Sequence, residues 1–129
     1  MARTLSDEAA DLLASEPLVG HLATCHDGRP HVAPLWYGVH AGAIELTTTG
    51  RKLANIRRNP PVALSVQKAH GGGDPVWAVT VQGMATVLDD AETAAVRRRV
   101  NRRYGVDQDA WADNVGVRIG VGSDTVTWQ

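Results

Sequence analysis

At 129 residues with a formal net charge of -1, the chain suits one domain with a buried core and is too near neutral to coat nucleic acid. A lone Cys25 excludes an internal disulfide and lacks the flanking pattern of a catalytic thiol, and no apolar run approaches the ~18 residues of a membrane-spanning helix. The N-terminus has neither the basic nor the apolar block of a secretion signal, so the expected setting is the reducing cytoplasm, with no membrane partner.

In chain order, Ser6 caps a predicted helix whose first turn carries Asp7 and Glu8 and which ends before Pro17. Leu18 to Cys25 then reads as a strand, His26-Asp27-Gly28-Arg29-Pro30 as a turn, and His31 to Val39 as a second strand. A further turn at Ala41-Gly42 leads into Ala43 to Thr49, giving an expected three-stranded meander. Pro34 sits within the apolar run Val32 to Tyr37 and cannot donate to a sheet ladder. One side of that strand is expected to stay unpaired, as an edge or as a place where a ligand lies along the backbone.

The window from Thr47 to Pro60 is the most informative. Thr47, Thr48 and Thr49 are followed by Gly50, Arg51 and Lys52, then by a short helical pattern that Pro60-Pro61 stops. Hydroxyls, free N–H groups at a helix start and two cations together outline a cradle for an anion. On a helical projection Leu53 and Ile56 share one face while Arg51 and Arg58 fall opposite, away from the core. Ordinary strand sequence followed by a solvated helix face is the competing reading, and the window matches neither the Walker loop nor a dinucleotide glycine fingerprint.

Val62 to Gln67 reads as another strand, Gly71-Gly72-Gly73 as a flexible loop, and Pro75 to Leu88 as a long strand with Gly83 at a bulge or a close backbone approach. Asp89 and Glu92 begin a helix that runs to about Tyr104. In it Thr93, Val96, Val100 and Tyr104 form one stripe, with Arg98 and Arg102 opposite and Arg97, Arg99 and Arg103 on the flanks. That basic face is either solvated or a site for an acidic group. Asn114 to Gly120 and Thr125 to Trp128 read as two short strands parted by Gly122. The expected fold is mainly β with flanking helices, six to seven antiparallel strands closing into a barrel that hides its edges. Phe is absent while four Trp are present, so each Trp asks for a reason. His21, His26, His31 and His40 cluster on the first strands without metal-ligand spacing.

The order of these motifs resembles the pyridoxamine-phosphate-oxidase-like split-barrel superfamily, and more narrowly its flavin and deazaflavin oxidoreductase branch. The resemblance runs from about Ser6 to the end. It is carried by the hairpin Gly20 to Pro30, the strand to Trp36, the Thr-Thr-Thr-Gly-Arg-Lys run, and Asn55-Ile56-Arg57-Arg58-Asn59-Pro60, similar to the family's Asn-Leu-Arg-Arg-Asp-Pro. It implies a homodimer of split β-barrels with a flavin-type cofactor in each of two interface clefts. By the same resemblance Pro34, Leu35 and Trp36 run beside the ring, and Thr47, Thr48, Thr49, Arg51 and Lys52 serve the phosphate; Arg58, on the outward face of the same helix, is a further candidate for cofactor contact. Trp77 and Trp128 would reach the cleft, often from the other subunit. Ala33 stands where true pyridoxamine phosphate oxidases carry a flavin-touching arginine, and the chain has no C-terminal Arg-x-His segment, so vitamin B6 oxidation is not expected.

The functional expectation is an oxidoreductase moving a hydride between a bound flavin-type cofactor and a small organic substrate, with the cofactor carrying the chemistry and no side chain assigned as catalyst. The cofactor is either FMN or the 8-hydroxy-5-deazaflavin coenzyme, both of which end in a phosphate. The acidic oligoglutamate tail of the deazaflavin would give the arginine-rich helix a role, and the Ala, Arg, Gly and Val richness of the chain points the same way. The alternative is a non-catalytic carrier or sensor of flavin, deazaflavin or haem. A nucleic-acid module lacks the stacking-aromatic motif it would need.

Overall fold

In the computed structural model, which describes residues 3–129, seven strands form one antiparallel sheet in the order β2-β1-β5-β6-β7-β4-β3. They are β1 (Gly20–His26), β2 (Arg29–Leu35), β3 (Gly38–His40), β4 (Ala43–Thr48), β5 (Pro61–Ala69), β6 (Pro75–Val87) and β7 (Val115–Trp128). Strands β2 and β3 are consecutive in the chain yet lie at opposite ends of that order, joined only by Trp36 and Tyr37. Three Cα–Cα steps reach at most ~11 Å, whereas the edges of a flat seven-stranded sheet would stand roughly 28 Å apart. The sheet therefore rolls until its edges meet, and a barrel with one unpaired seam results.

Turn chemistry sets the two hairpins at that seam. Asp27 and Gly28 have φ of 52° and 72°, Ala41 and Gly42 have φ of 52° and 76°, and the flanking pairs are His26↔Arg29 and His40↔Ala43. Two successive positive φ values in a two-residue loop match the twist of the strands they join. Ser6 caps α1 (Asp7–Ser15) by accepting from the Ala9 N–H at 3.2 Å, and this helix buries Ala9 and Leu13. Helix α2 (Gly50–Arg58) follows β4 directly and buries Asn55 and Ile56. Asn55 donates to Thr24 Oγ1 at 3.0 Å and Asn59 to the Cys25 carbonyl at 2.8 Å, which clamps α2 to β1. Leu22, Ile44, Leu46, Val79 and Val117 are fully shielded inside the barrel, each burial stabilising by ~1.5–3 kcal/mol. Helix α3 (Asp90–Arg103), capped by Asp89 through the Glu92 N–H at 2.8 Å, packs Val96 and Val100 with Leu88, Trp36 and Tyr104 in a second cluster outside it.

Three expectations need correction. The segment His31 to Val39 is not one strand, because the fully buried Tyr37 turns inward, its hydroxyl donating to the Leu13 carbonyl at 2.9 Å. No meander forms: β1 pairs β2, and β3 pairs β4, at opposite edges. The two short C-terminal strands are a single strand, β7, with Gly122 as the extra residue of a bulge between the pairs Gln82↔Ser123 and Gly83↔Val121. Opposite it, a Cβ on Gly83 would collide with the Gly120 carbonyl oxygen, so the bulge and the close approach coincide. Gly71–Gly73 forms a single 3-10 turn between β5 and β6.

Burial pushes the Tyr37 phenol up to about 12 from 10.0, helped by the Tyr104 hydroxyl and opposed by the Arg103 guanidinium. An unfolded chain loses this proton near pH 10 while the folded one keeps it, so the protein should lose stability as pH rises from about 10 to 12, by roughly 2–3 kcal/mol. Below pH 10 this group adds no slope. Urea denaturation across that range should show the decline in the wild type, and Tyr37→Phe should flatten it while costing about 1 kcal/mol at neutral pH.

Candidate functional site

Strand β3 covers only Gly38 to Glu45 of the β3–β4 hairpin, so β4 runs on through Leu46, Thr47 and Thr48 with no partner on its seam side. Across the gap lies the end of β2. A cavity of about 240 Å³ opens there, between Pro34, Leu35 and Trp36 on one side and Thr47, Thr48, Thr49 and Lys52 on the other. Pro34 fits because β2 is an edge strand whose only partner is β1.

The lining mixes two chemistries. It includes Thr47, Thr48 and Thr49 and the half-buried Lys52, which makes no ion pair among the described residues. Thr49, the N-cap of α2, is extended with φ -152° and its side chain caps nothing, leaving the first N–H groups of α2 without a side-chain acceptor. Trp36, Val100 and Trp111 supply an apolar aromatic wall, and Asn101 and Asn114 also line the space. No carboxylate, histidine, cysteine or tyrosine lines the space. Donors and one cation suit an anion, and flat apolar surface suits a ring.

The wall is held from behind by α3. Trp36 stacks on Tyr104 with ring centroids 4.6 Å apart and planes 7° from parallel, and the Tyr104 hydroxyl donates to the Leu18 carbonyl at 2.6 Å. Arg99 grips Glu45, a 3% exposed carboxylate on β4, through two hydrogen bonds of 2.8 Å, which raises the guanidinium pKa above its ordinary value. Asn101 donates to the Gln108 and Ala110 carbonyls, and Arg97 to those of Ala112 and Asn114. These four bonds shape the loop 106–114 that sets Trp111 edge-on to Trp36 at 6.3 Å. Trp111 has φ 61°, a conformation that a bulky side chain adopts only under constraint.

Of the eleven residues that the sequence nominates, seven meet in this cavity: Pro34, Leu35, Trp36, Thr47, Thr48, Thr49 and Lys52. Arg51 does not; it lines a separate cavity with His26, Arg29 and His31. Arg58 is exposed, its Nη1 3.3 Å from His26 Nε2. Trp77 is buried in the barrel core, and its cross-strand partner Trp128 is 55% exposed at the end of β7. Neither tryptophan reaches the cavity of its own chain. Val100, Asn101, Trp111 and Asn114 went unnominated, although an asparagine among five arginines in a capped helix was a signal that something other than solvent faces it. Among the described residues no cluster of His, Cys, Asp and Glu could hold a metal, and no helix is long and apolar enough to cross a membrane.

Residues 6–121 match the family model described as pyridoxamine 5'-phosphate oxidase. Among solved structures, the chain is similar to a conserved hypothetical protein of Mycobacterium tuberculosis, with 28% identity, a TM-score of 0.81 and 99% of this chain and 86% of that one covered. A protein described as an F420 reductase shares 30% identity over 93% of this chain and 98% of its own, with a TM-score of 0.75. An FAD-binding protein of Mesorhizobium loti shares 26% identity over 98% and 96%, also at a TM-score of 0.75. No protein of curated function matches.

Removing the brace behind Trp111 tests this construction. Asn101→Leu leaves the Gln108 and Ala110 carbonyls without their donor and should cost about 1–3 kcal/mol by urea denaturation. Limited proteolysis should then cut within 106–114 several-fold faster than in the wild type.

Proposed function

We propose, for a chain that belongs to the pyridoxamine 5'-phosphate oxidase family of flavin-binding split barrels, that the seam cavity binds a phosphate-bearing flavin-type cofactor and serves hydride transfer to or from a small organic substrate. The observation that carries this reading is the make-up of the cavity lining: three threonines and Lys52 together with an aromatic wall, and no carboxylate among them. When bound, the cofactor supplies the hydride chemistry. The chain's own residues orient it. Lys52 and the threonines would hold the phosphate, Pro34 and Leu35 would contact the ring, and Trp36 with Trp111 would exclude water.

The deazaflavin coenzyme is favoured over FMN by the likeness to a protein described as an F420 reductase. The arginine-rich helix no longer supports that preference, since Arg97, Arg99 and Arg103 are tied to backbone carbonyls and Glu45, leaving only Arg98 and Arg102 exposed on its outer side. A carrier of the same cofactor is the second reading, favoured by the lack of any acid or base on the wall other than Lys52. Haem is the weaker reading for this chain's part of the cavity, which carries no histidine, cysteine, methionine or tyrosine to ligate iron.

The working unit in this proposal is a homodimer. At about 240 Å³ the cavity is smaller than the roughly 300–1,000 Å³ of a typical site for a drug-sized ligand, so one chain supplies part of the wall. The outer face of β2, β1, β5 and β6 offers the means: Val32 is 64% and Met84 54% exposed there, around a shallow apolar groove lined by Ala23, Pro30, Pro61 and Ala63. Val32→Glu should turn a dimer into a monomer in sedimentation velocity and leave the secondary structure unchanged.

Lys52→Met keeps the aliphatic stem and removes one charge-assisted bond worth about 1.5–3 kcal/mol, so affinity for FMN or the deazaflavin should fall roughly ten- to a hundred-fold. Riboflavin, which has the ring and no phosphate, should bind the variant as it binds the wild type. Equal affinity of the two proteins for the intact cofactor at low salt would refute the reading, and the absorption spectrum and mass of any ligand released from purified protein would identify the cofactor.

A further inference from the structure

Consecutive residues at the start of α2 face different spaces: Lys52 the seam cavity, and Arg51 a second cavity of about 210 Å³ at the tip of the β1–β2 hairpin. This second space is lined by His26 from β1, by Arg29, Pro30 and His31 from β2, and by Arg51 and Asn55 from α2. Asn55 and Asn59 clamp α2 to β1, so the position of Arg51 over the hairpin is built in.

The charges here are unbalanced. Arg29 and Arg51 make no ion pair among the described residues. Arg58 adds a third guanidinium at the rim, 3.3 Å from His26 Nε2. The one carboxylate at hand is the exposed Asp27, 3.3 Å from the same His26 atom, so three guanidiniums face one acid. His31 lines the cavity as well, and its Nδ1 is shielded from water without a hydrogen-bond partner in the protein. Arg29 and Arg51 line the cavity exposed and without an acidic partner, so an oxyanion seated between them gains charge-assisted hydrogen bonds for which no protein group competes.

We propose that this hairpin cavity is a second anion site, distinct from the cradle at Lys52, which takes a phosphate-class or paired-carboxylate group between Arg29 and Arg51, beside the His26 and His31 rings. The site does not depend on the cofactor reading of the seam cavity. Its occupant is either a free oxyanion or the acidic extension of a molecule lodged in the seam cavity, since the two spaces flank the same helix start.

The test is a titration of the full chain with inorganic pyrophosphate at constant ionic strength, read by NMR on the histidine ring nitrogens. His31 resonances should shift and saturate with pyrophosphate and not with chloride. Arg51→Gln and Arg29→Gln should each weaken that binding at least tenfold, while Lys52→Met should leave it within about twofold. A linear shift that chloride reproduces would overturn the proposal, as would a response lost in Lys52→Met and kept in Arg51→Gln, because then the seam cavity is the only anion site. Failure of FMN to bind at all would sink the proposed cofactor site without touching this one. Competition then identifies the occupant: displacement of pyrophosphate from His31 by a cofactor with an acidic extension, and not by FMN, assigns the site to that extension, and no displacement by either assigns it to a free oxyanion.

Discussion

Everything in this molecule follows from the shortness of the link between β2 and β3. Two residues cannot span an open seven-stranded sheet, so the sheet must roll, and the roll brings together two edges that have no ladder to make with one another. A three-residue β3 is too short to zip the seam. What remains is a slot with free backbone on both sides, placed where β4 gives way to α2. Tyr37 fixes the link by plunging into the interior, and its neighbour Trp36 is thereby turned outward onto the slot. One inward and one outward aromatic at adjacent positions do the work of closing the barrel and walling the cavity.

The arginines of α3 serve that same slot from the rear. A row of five arginines within seven residues reads as a solvated or ligand-seeking face, yet three of them, only partly exposed, are tied to backbone carbonyls or to Glu45. Arg103 bonds the Leu13 and Glu16 carbonyls at the end of α1 and lies 5.2 Å from the centre of the Tyr37 ring. Arg99 reaches the buried Glu45, and Arg97 the loop that carries Trp111. A guanidinium with five donors in a rigid fork suits this task, since it satisfies several carbonyls at a helix end or loop at once. The strain in Trp111 persists because Asn101 and Arg97 fix both flanks of the loop.

Local chemistry made much of the fold legible. Asp27-Gly28 and Ala41-Gly42 announce two-residue turns, Ser6 and Asp89 announce helix starts, and Pro60-Pro61 announces a stop, because each depends only on neighbouring residues. The run Thr47 to Lys52 is legible for the same reason, and its hydroxyls and lysine do share a cavity with Pro34, Leu35 and Trp36. Illegible were the features set by distant partners. Nothing between Val32 and Val39 signals that one apolar run feeds two edges, as alternation looks the same on either side of the break. The continuity of β7 past Gly122 depends on β6, whose own Gly83 makes room opposite the bulge. Trp77 and Trp128 carry no local mark of whether a core, a cleft or solvent awaits them.

Arg51 shows where helical geometry outruns a composition argument. Two adjacent cations after a run of hydroxyls look like one charge cluster, but successive side chains on a helix point about 100° apart. At the narrow start of α2, pinned between the hairpin tip and the seam, that angle is enough to send the pair into separate spaces. Lys52, a compact charge on a flexible stem, shares its cavity with three threonines, whereas Arg51 shares its own with Arg29 and two histidines. The helix start thus parts two like charges into two spaces of unlike lining.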